Sequence, residues 1–171
     1  MHIHQEAAER HTLSVIVDNE PGILARIAGL FTARGYNIES LTVSDVTADK
    51  AVSRLTIVTA ASAATMEQIL AQLDRLVPVH SVTDLTALGP HVERELALVK
   101  VAGVGEHRIE ALRLGDVYRA RVVDATVSSF VFEVTGGRDK IDKFVELMGE
   151  VGLVEVARTG IVAIARGREA I

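Results

Sequence analysis

Along this chain the spacing of apolar positions switches repeatedly between a period of two and a period near three and a half. From residue 11 to 18 apolar and polar positions alternate, with Leu13, Val15 and Val17 on one side, which predicts a half-buried strand. Ile23, Leu24, Ile27, Leu30 and Phe31 then recur at helical spacing, and Gly35 is placed to end that helix. Residues 38–46 and 52–59 read as two strands around a polar turn at 47–50. Met66, Ile69, Leu70, Leu73 and Leu76 predict a second amphipathic helix, with Thr65 and Gln68 spaced as a capping box, and 79–85 gives a further strand. The order βαββαβ predicts one antiparallel sheet with two helices on one face. The other face needs cover, and a second copy of the domain is the usual way to supply it.

Ala87-Leu-Gly-Pro-His91 reads as a linker broken at Gly89-Pro90, and after it the succession repeats. A strand at 95–102 leads through Gly103-Val-Gly105 into a helix over 107–114. Residues 121–127 and 130–135 form a hairpin around Ser128-Ser129, and Ile141, Phe144, Val145 and Met148 mark a helix face. Strands at 153–157 and 160–165 close the sheet, and 167–171 reads as a frayed end. The expected fold is α+β: two tandem ferredoxin-like βαββαβ domains, each an antiparallel sheet with helices on one face. The expected boundaries are a flexible tail at 1–10, an N-terminal domain at 11–86, a linker at 87–94 and a C-terminal domain at 95–171.

Composition narrows the function classes. Of 171 residues 49% are hydrophobic, enough for two small cores, yet no apolar run approaches the roughly 18–20 residues that span a bilayer. The polar N-terminus lacks the apolar segment of a signal peptide, and the chain has no Cys, both of which fit a cytoplasmic protein. The net charge is −5, with 6 basic against 10 acidic residues in 1–86 and 12 against 13 in 87–171. Neither half is a basic patch. Aromatic residues are 4% and Trp is absent, so base-stacking platforms are poorly supplied and nucleic-acid binding is disfavoured.

The stretch 19–43 carries the candidate chemistry. Its first turn places Gly22 after a strand and at the mouth of a helix, where free N–H groups and the helix dipole suit a small carboxylate. The same turn also reads as a plain strand-to-helix connection, since Gly is common in turns. Elsewhere the signals are weaker. His2-x-His4 supplies too few ligands for a metal, and His80, His91 and His107 lack a third ligand and read as solvated. Gly103-Val-Gly105 is too short for a dinucleotide fingerprint. Ser128-Ser129 has no activating base nearby in sequence, and the pairs Arg119/Arg121 and Arg166/Arg168 read as solvated charges. No catalytic constellation emerges, so the chain is not expected to be an enzyme in its own right.

Three segments, Asn19-Glu-Pro-Gly-Ile-Leu-Ala-Arg26, Arg34-Gly-Tyr-Asn-Ile-Glu-Ser-Leu-Thr-Val43 and Ser53-Arg-Leu-Thr-Ile57, resemble the ACT domain, an amino-acid-sensing module. Three more are more specific: His91-Val-Glu-Arg-Glu-Leu-Ala-Leu-Val-Lys-Val101, Lys140-Ile-Asp-Lys-Phe144 and Glu155-Val-Ala-Arg-Thr-Gly160. Together, from about His11 to Gly167, they resemble the small regulatory subunits of acetolactate synthase (acetohydroxyacid synthase). The resemblance implies an ACT domain followed by an ACT-like domain, and a non-catalytic partner of a large catalytic subunit. Thiamine diphosphate, magnesium and FAD would reside on that subunit and no cofactor on this chain. It further implies a homodimer through the ACT domain, activation of the large subunit, and feedback inhibition by valine or another branched-chain amino acid.

Carried over residue by residue, the effector's carboxylate would accept from the N–H groups of Gly22, Ile23 and Leu24. Asn19 and Asn37 would accept from its ammonium, and Leu24 and Ile38 would wall its side chain. The resemblance draws Asn37 and Ile38 from the neighbouring protomer. Ile23 departs from the smaller Ala or Val of many relatives, the turn 45–50 lacks a common Pro, and the polar tail has no counterpart in the shortest ones. The competing expectation is a stand-alone ACT-type regulator of another metabolic enzyme or of transcription. The latter needs a DNA-reading helix pair or a basic face, and the chain shows neither. An independent enzyme on the same scaffold would need convergent acid, base or metal residues.

Overall fold

Leu13, Val15 and Val17 are fully buried on one side of β1 (Glu9–Asp18), in a computed structural model that describes residues 8–171. After β1 come α1 (Ile23–Ala33), β2 (Ser40–Asp45), β3 (Val52–Ala61), α2 (Ala63–Asp74) and β4 (Val79–Asp84). The strands pair antiparallel in the order β2-β3-β1-β4. The two-residue period of β1 and β3 puts Leu13, Val15, Leu55 and Ile57 on one face. There they pack against Ile23, Ile27 and Phe31 of α1 and Met66, Ile69 and Leu73 of α2. Burial of each such side chain contributes about 1.5–3 kcal/mol.

Three local expectations shift. Helix α2 is capped by Ser62, whose Oγ accepts from Thr65 N–H at 3.3 Å, so Thr65 lies inside the first turn and the Thr65/Gln68 box is not the cap. The expected linker instead opens with a short helix, α3 (Leu85–Leu88). Asp84 Oδ1 accepts from Thr86 N–H (3.0 Å) and Ala87 N–H (3.2 Å), while Leu85 is fully buried beneath. Glu9 and Arg10, expected in the tail, are already part of β1.

The largest departure concerns the second face of this sheet. Two units divide the chain: residues up to Val92 join Ile161–Ile171 in one, and Glu93–Gly160 form the other. Residues 161–171, expected within a C-terminal domain at 95–171, therefore cluster with the first unit, while β9 (Val162–Ala165) within them still pairs with β5 (His91–Ala102) as the expected closing strand. Ile161 N–H donates to Ser40 Oγ (2.9 Å) and Thr42 Oγ1 donates to Ile161 O (3.0 Å). Arg54 Nη2 donates to Ile171 O at 3.1 Å. Ile161 and Ala163 are buried with Val58 and Leu85, and Ile171 packs against them. The chain's own strap thus covers part of the face for which a second copy was expected, and the end read as frayed is anchored.

In the second unit β5 (His91–Ala102), α4 (Glu106–Val117), β6 (Arg121–Ala125), β7 (Ser129–Gly136), α5 (Arg138–Gly149) and β8 (Leu153–Arg158) repeat the order; β9 (Val162–Ala165) lies in the strap. Four strands are ordered β6-β7-β5-β8, as β2-β3-β1-β4 are in the first unit, and β9 pairs with β5 as a fifth. Val99, Val101, Phe130 and Phe132 pack against Ile141, Phe144 and Met148. Arg158 ties β8 to β5 through two bonds to the buried Glu95 carboxylate (2.7 and 2.8 Å) and to α5 through Asp142 (2.7 Å). The Glu95 carboxylate, and secondarily Asp142, raise the guanidinium's pKa above its ordinary value despite partial burial. No helix among the described residues is long and apolar enough to cross a membrane.

Candidate functional site

The turn between β1 and α1 is built from both neighbouring connections. Asp18 N–H donates to Pro78 O and Asn19 N–H to Ala51 O, each at 2.8 Å, which fixes the end of β1 between β4 and β3. The chain then reverses through Gly22, whose φ of 87° is a left-handed conformation that favours glycine. Burial of Ile23 in the core clamps the mouth of α1 from below. Above the turn a Cβ on Gly22 would meet nothing within 4 Å.

What faces this open space is the positive end of α1. No side chain caps the helix and its first turn holds no acid. The first intrahelical bond runs from Arg26 N–H to Gly22 O at 3.0 Å, so the N–H groups of Leu24 and Ala25 precede the ladder. Ile23 N–H, one of the three expected carboxylate donors, is instead spent on Glu20 O at 3.3 Å. Leu24 is 43% exposed beside the turn, a free apolar surface in the place assigned to the wall of the pocket.

Asn19 is held rigidly. Its Nδ2 donates to Asp45 Oδ1 (3.2 Å) and to Lys50 O (2.9 Å), so both amide hydrogens are used and Oδ1 is left as an acceptor. This assignment of the amide follows from its two acceptors. Lys50 O is presented by a tight hairpin in which Lys50 itself has φ 57°. Asp49 Oδ1 accepts from Ala51 N–H at 3.1 Å, and Thr47 Oγ1 accepts from Val52 N–H at 3.2 Å. The Thr47 hydroxyl and then the Ala51 N–H hold the exposed Asp49 carboxyl below its ordinary pKa. Asp45 and Lys50 were not among the residues singled out in the sequence. Their only signal there was a charged, Pro-free turn.

Asn37 and Ile38 stand elsewhere. Asn37 is exposed, and its carbonyl accepts from Thr59 Oγ1 at 2.6 Å. Thr59 lies opposite His11 in the β1–β3 register, whereas Asp18, next to the turn, lies opposite Val52. Seven strand residues at about 3.3 Å each separate the two levels by roughly 23 Å. One chain therefore keeps the two halves of the expected site at opposite ends of its sheet. Ile38 is half-buried against its own core, which limits what its side chain can offer to any ligand.

The remaining candidates resolve into structural roles. His80 Nε2 meets Asp18 Oδ1 at 2.7 Å and His91 Nδ1 meets Gly89 O at 3.0 Å, so neither is simply solvated. His11, which drew no attention in the sequence, pairs with the buried Asp84 at 2.7 Å. No group of three potential metal ligands occurs among the described residues, and His2 and His4 lie outside them. Thr126 Oγ1 accepts from the N–H groups of Ser128 (3.2 Å) and Ser129 (3.0 Å), which makes that pair a turn.

Comparison with known proteins places both halves of the chain. Residues 13–81 match the model of the AHAS small subunit-like ACT domain, and residues 94–167 that of the small subunit of acetolactate synthase. A probable acetolactate synthase small subunit of Archaeoglobus fulgidus is 46% identical over 160 residues, covering 94% of this chain and 99% of the relative. The acetolactate synthase isozyme 3 small subunit of Escherichia coli is 44% identical, covering 92% and 96%. Among solved structures, the acetolactate synthase small subunit from Thermotoga maritima superposes with a TM-score of 0.84 at 37% identity, covering 94% of this chain and 99% of that one.

Proposed function

We propose that this chain, which belongs to the family of acetolactate synthase small subunits, is a regulatory subunit that activates a catalytic large subunit and makes it sensitive to valine. Thiamine diphosphate, magnesium and FAD reside on that partner in this reading, and the present chain contributes no catalytic group. Its part is to bind the effector and to convert binding into a change of assembly.

The observation that carries the effector reading is the separation of the two half-sites. The uncapped mouth of α1, with Asn19 and Leu24, lies at one end of the sheet and Asn37 at the other. An amino acid held by both must lie between two copies of the chain, carboxylate on the α1 mouth and ammonium between Asn19 and a neighbour's Asn37. Valine then acts by linkage: it favours the dimer geometry that brings turn and Asn37 together, and that geometry activates the large subunit poorly. A ligand biases such an equilibrium only through its difference in affinity for the two states, and a coupling of about 1–3 kcal/mol gives roughly 5–150-fold.

The test is reconstitution. The purified chain with pyruvate, thiamine diphosphate and magnesium is expected to form no acetolactate, to raise the rate when mixed with a large subunit, and to lose that effect when valine is added. Acetolactate formation by the chain alone would overturn the regulatory reading, and activation insensitive to every branched-chain amino acid would overturn the effector reading.

A further inference from the structure

Three carboxylates flank the turn at the mouth of α1, and only one of them lacks a basic partner. Asp18 Oδ1 meets the His80 imidazole at 2.7 Å, and Glu20 faces the Arg26 guanidinium at 3.5 Å. Asp45 instead accepts at a single oxygen, Oδ1, from two neutral donors: Asn19 Nδ2 and Ser53 Oγ, each at 3.2 Å. Its Oδ2 makes no hydrogen bond among the described residues. The nearby Asp49 is committed to the backbone of the hairpin. Beside a helix mouth suited to an anion, the structure thus keeps an unneutralised carboxylate against Asn19, one of the two residues expected to receive a cation. A zwitterion has both charges, and a neutral amide at its ammonium end answers only half of the problem.

We propose that Asp45 is the anionic counterpart of the effector's ammonium and the positioning residue for Asn19. The proposal rests on the effector reading above and assigns the charge that this reading leaves unmatched. Asp45 Oδ1 and Lys50 O take both hydrogens of the Asn19 amide, so Asn19 Oδ1 turns away from them as an acceptor. Asp45 Oδ2 is the charged acceptor beside it. Hydrogen bonds with an ionised partner are roughly twice as strong as neutral ones, and solvent exposure at this turn reduces the gain. The ligand class is an α-amino acid with a free, protonated amine.

Calorimetry of the full-length chain with L-valine tests this, using Asp45→Asn, Asp45→Ala and a salt series. The amide introduced by Asp45→Asn still offers an oxygen to Asn19 Nδ2, so the bracket survives and the charge does not. Asp45→Asn is expected to weaken L-valine binding about tenfold, with a flatter salt dependence than the parent and an unchanged melting temperature. Asp45→Ala, which also frees Asn19, is expected to lose more. Parental affinity in Asp45→Asn, or a loss with the parent's salt dependence intact, would overturn the assignment of Asp45 while leaving the effector site standing. A parent chain that binds no L-valine would overturn the site itself, and Asp45's role with it.

Discussion

The mouths of α1 and α4 occupy the same place in two copies of one topology, yet they differ in the charge they carry. Both follow the first strand of their unit, both are preceded by a glycine with positive φ (87° at Gly22, 61° at Gly105), and neither has a side-chain cap. In both a Cβ on that glycine would meet nothing within 4 Å. The first turn of α1 carries no acid, whereas that of α4 carries Glu106, which already answers the dipole and repels a second carboxylate. Open space and a free helix end are therefore shared, and charge in the first turn is what separates the proposed anion site at α1 from the turn at α4. The sheets differ as well. The first has Thr12, Ser14 and Thr56 buried on the face where the strap 161–171 lies. The corresponding face of the second carries the ion pairs Lys100–Glu155 (2.5 Å) and Arg121–Glu133 (2.9 Å) around a 39% exposed Leu98.

The comparison can be broken most severely at the strap. Ile161 is 2% exposed, and Ile161→Ala is expected to cost the first unit about 2–4 kcal/mol. Hydrogen exchange should show the loss of protection in β2 and β3 rather than in β7. Equal loss in both sheets would mean that Ile161 supports the second sheet, to which β9 pairs, as much as the first.

Gly22→Asp comes next. It sets a carboxylate over the α1 mouth and should weaken valine binding by about 10–100-fold, the worth of one charge-assisted hydrogen bond, before repulsion is counted. Asp is among the residues that best tolerate the left-handed region and the space is empty, so stability should change by only about 1 kcal/mol. A folded, activating Gly22→Asp variant that binds valine like the parent would place the effector elsewhere. The smallest effect on valine inhibition is expected from the matched change in the second unit. Gly105→Asp should leave valine inhibition unchanged and cost about 1–3 kcal/mol of backbone strain, since φ 61° with ψ −131° lies outside the left-handed region that Asp tolerates, measured by denaturant titration beside the inhibition assay. Loss of inhibition there would make the two mouths functionally equivalent.

Most of this architecture was legible in the pattern of residues. Leu13, Val15 and Val17 announce β1, and Ile23, Ile27 and Phe31 announce α1, because a buried face imposes its period on the sequence. Ile161 and Ala163 also alternate, and the strand they mark does pair with β5 as expected, but alternation gives no sign that the same residues pack against Val58 and Leu85 of the first unit. The short helix α3 was hidden because its cap, Asp84, closes a strand, and its Gly89-Pro90 exit looks like any linker. At the proposed site, Gly22 was readable from turn chemistry, and Asn19 only through the family resemblance. Asp45 was not, since a carboxylate at a strand end has no local signal of which side chain it will hold across a hairpin.

The claim that one effector site is shared by two chains is tested most directly by mixing two defective variants. Gly22→Asp spoils the turn and Asn37→His spoils the acceptor at the other end of the sheet, and each alone should bind valine at least tenfold more weakly. In a mixed dimer one site collects both defects and the other collects neither. Co-expressed in equal amounts, the two chains should regain parental affinity at about a quarter of the parental sites, the statistical yield of a two-fold assembly. Titration of the mixture with valine that recovers that fraction supports the shared site. A mixture that binds no better than either variant alone would contradict it.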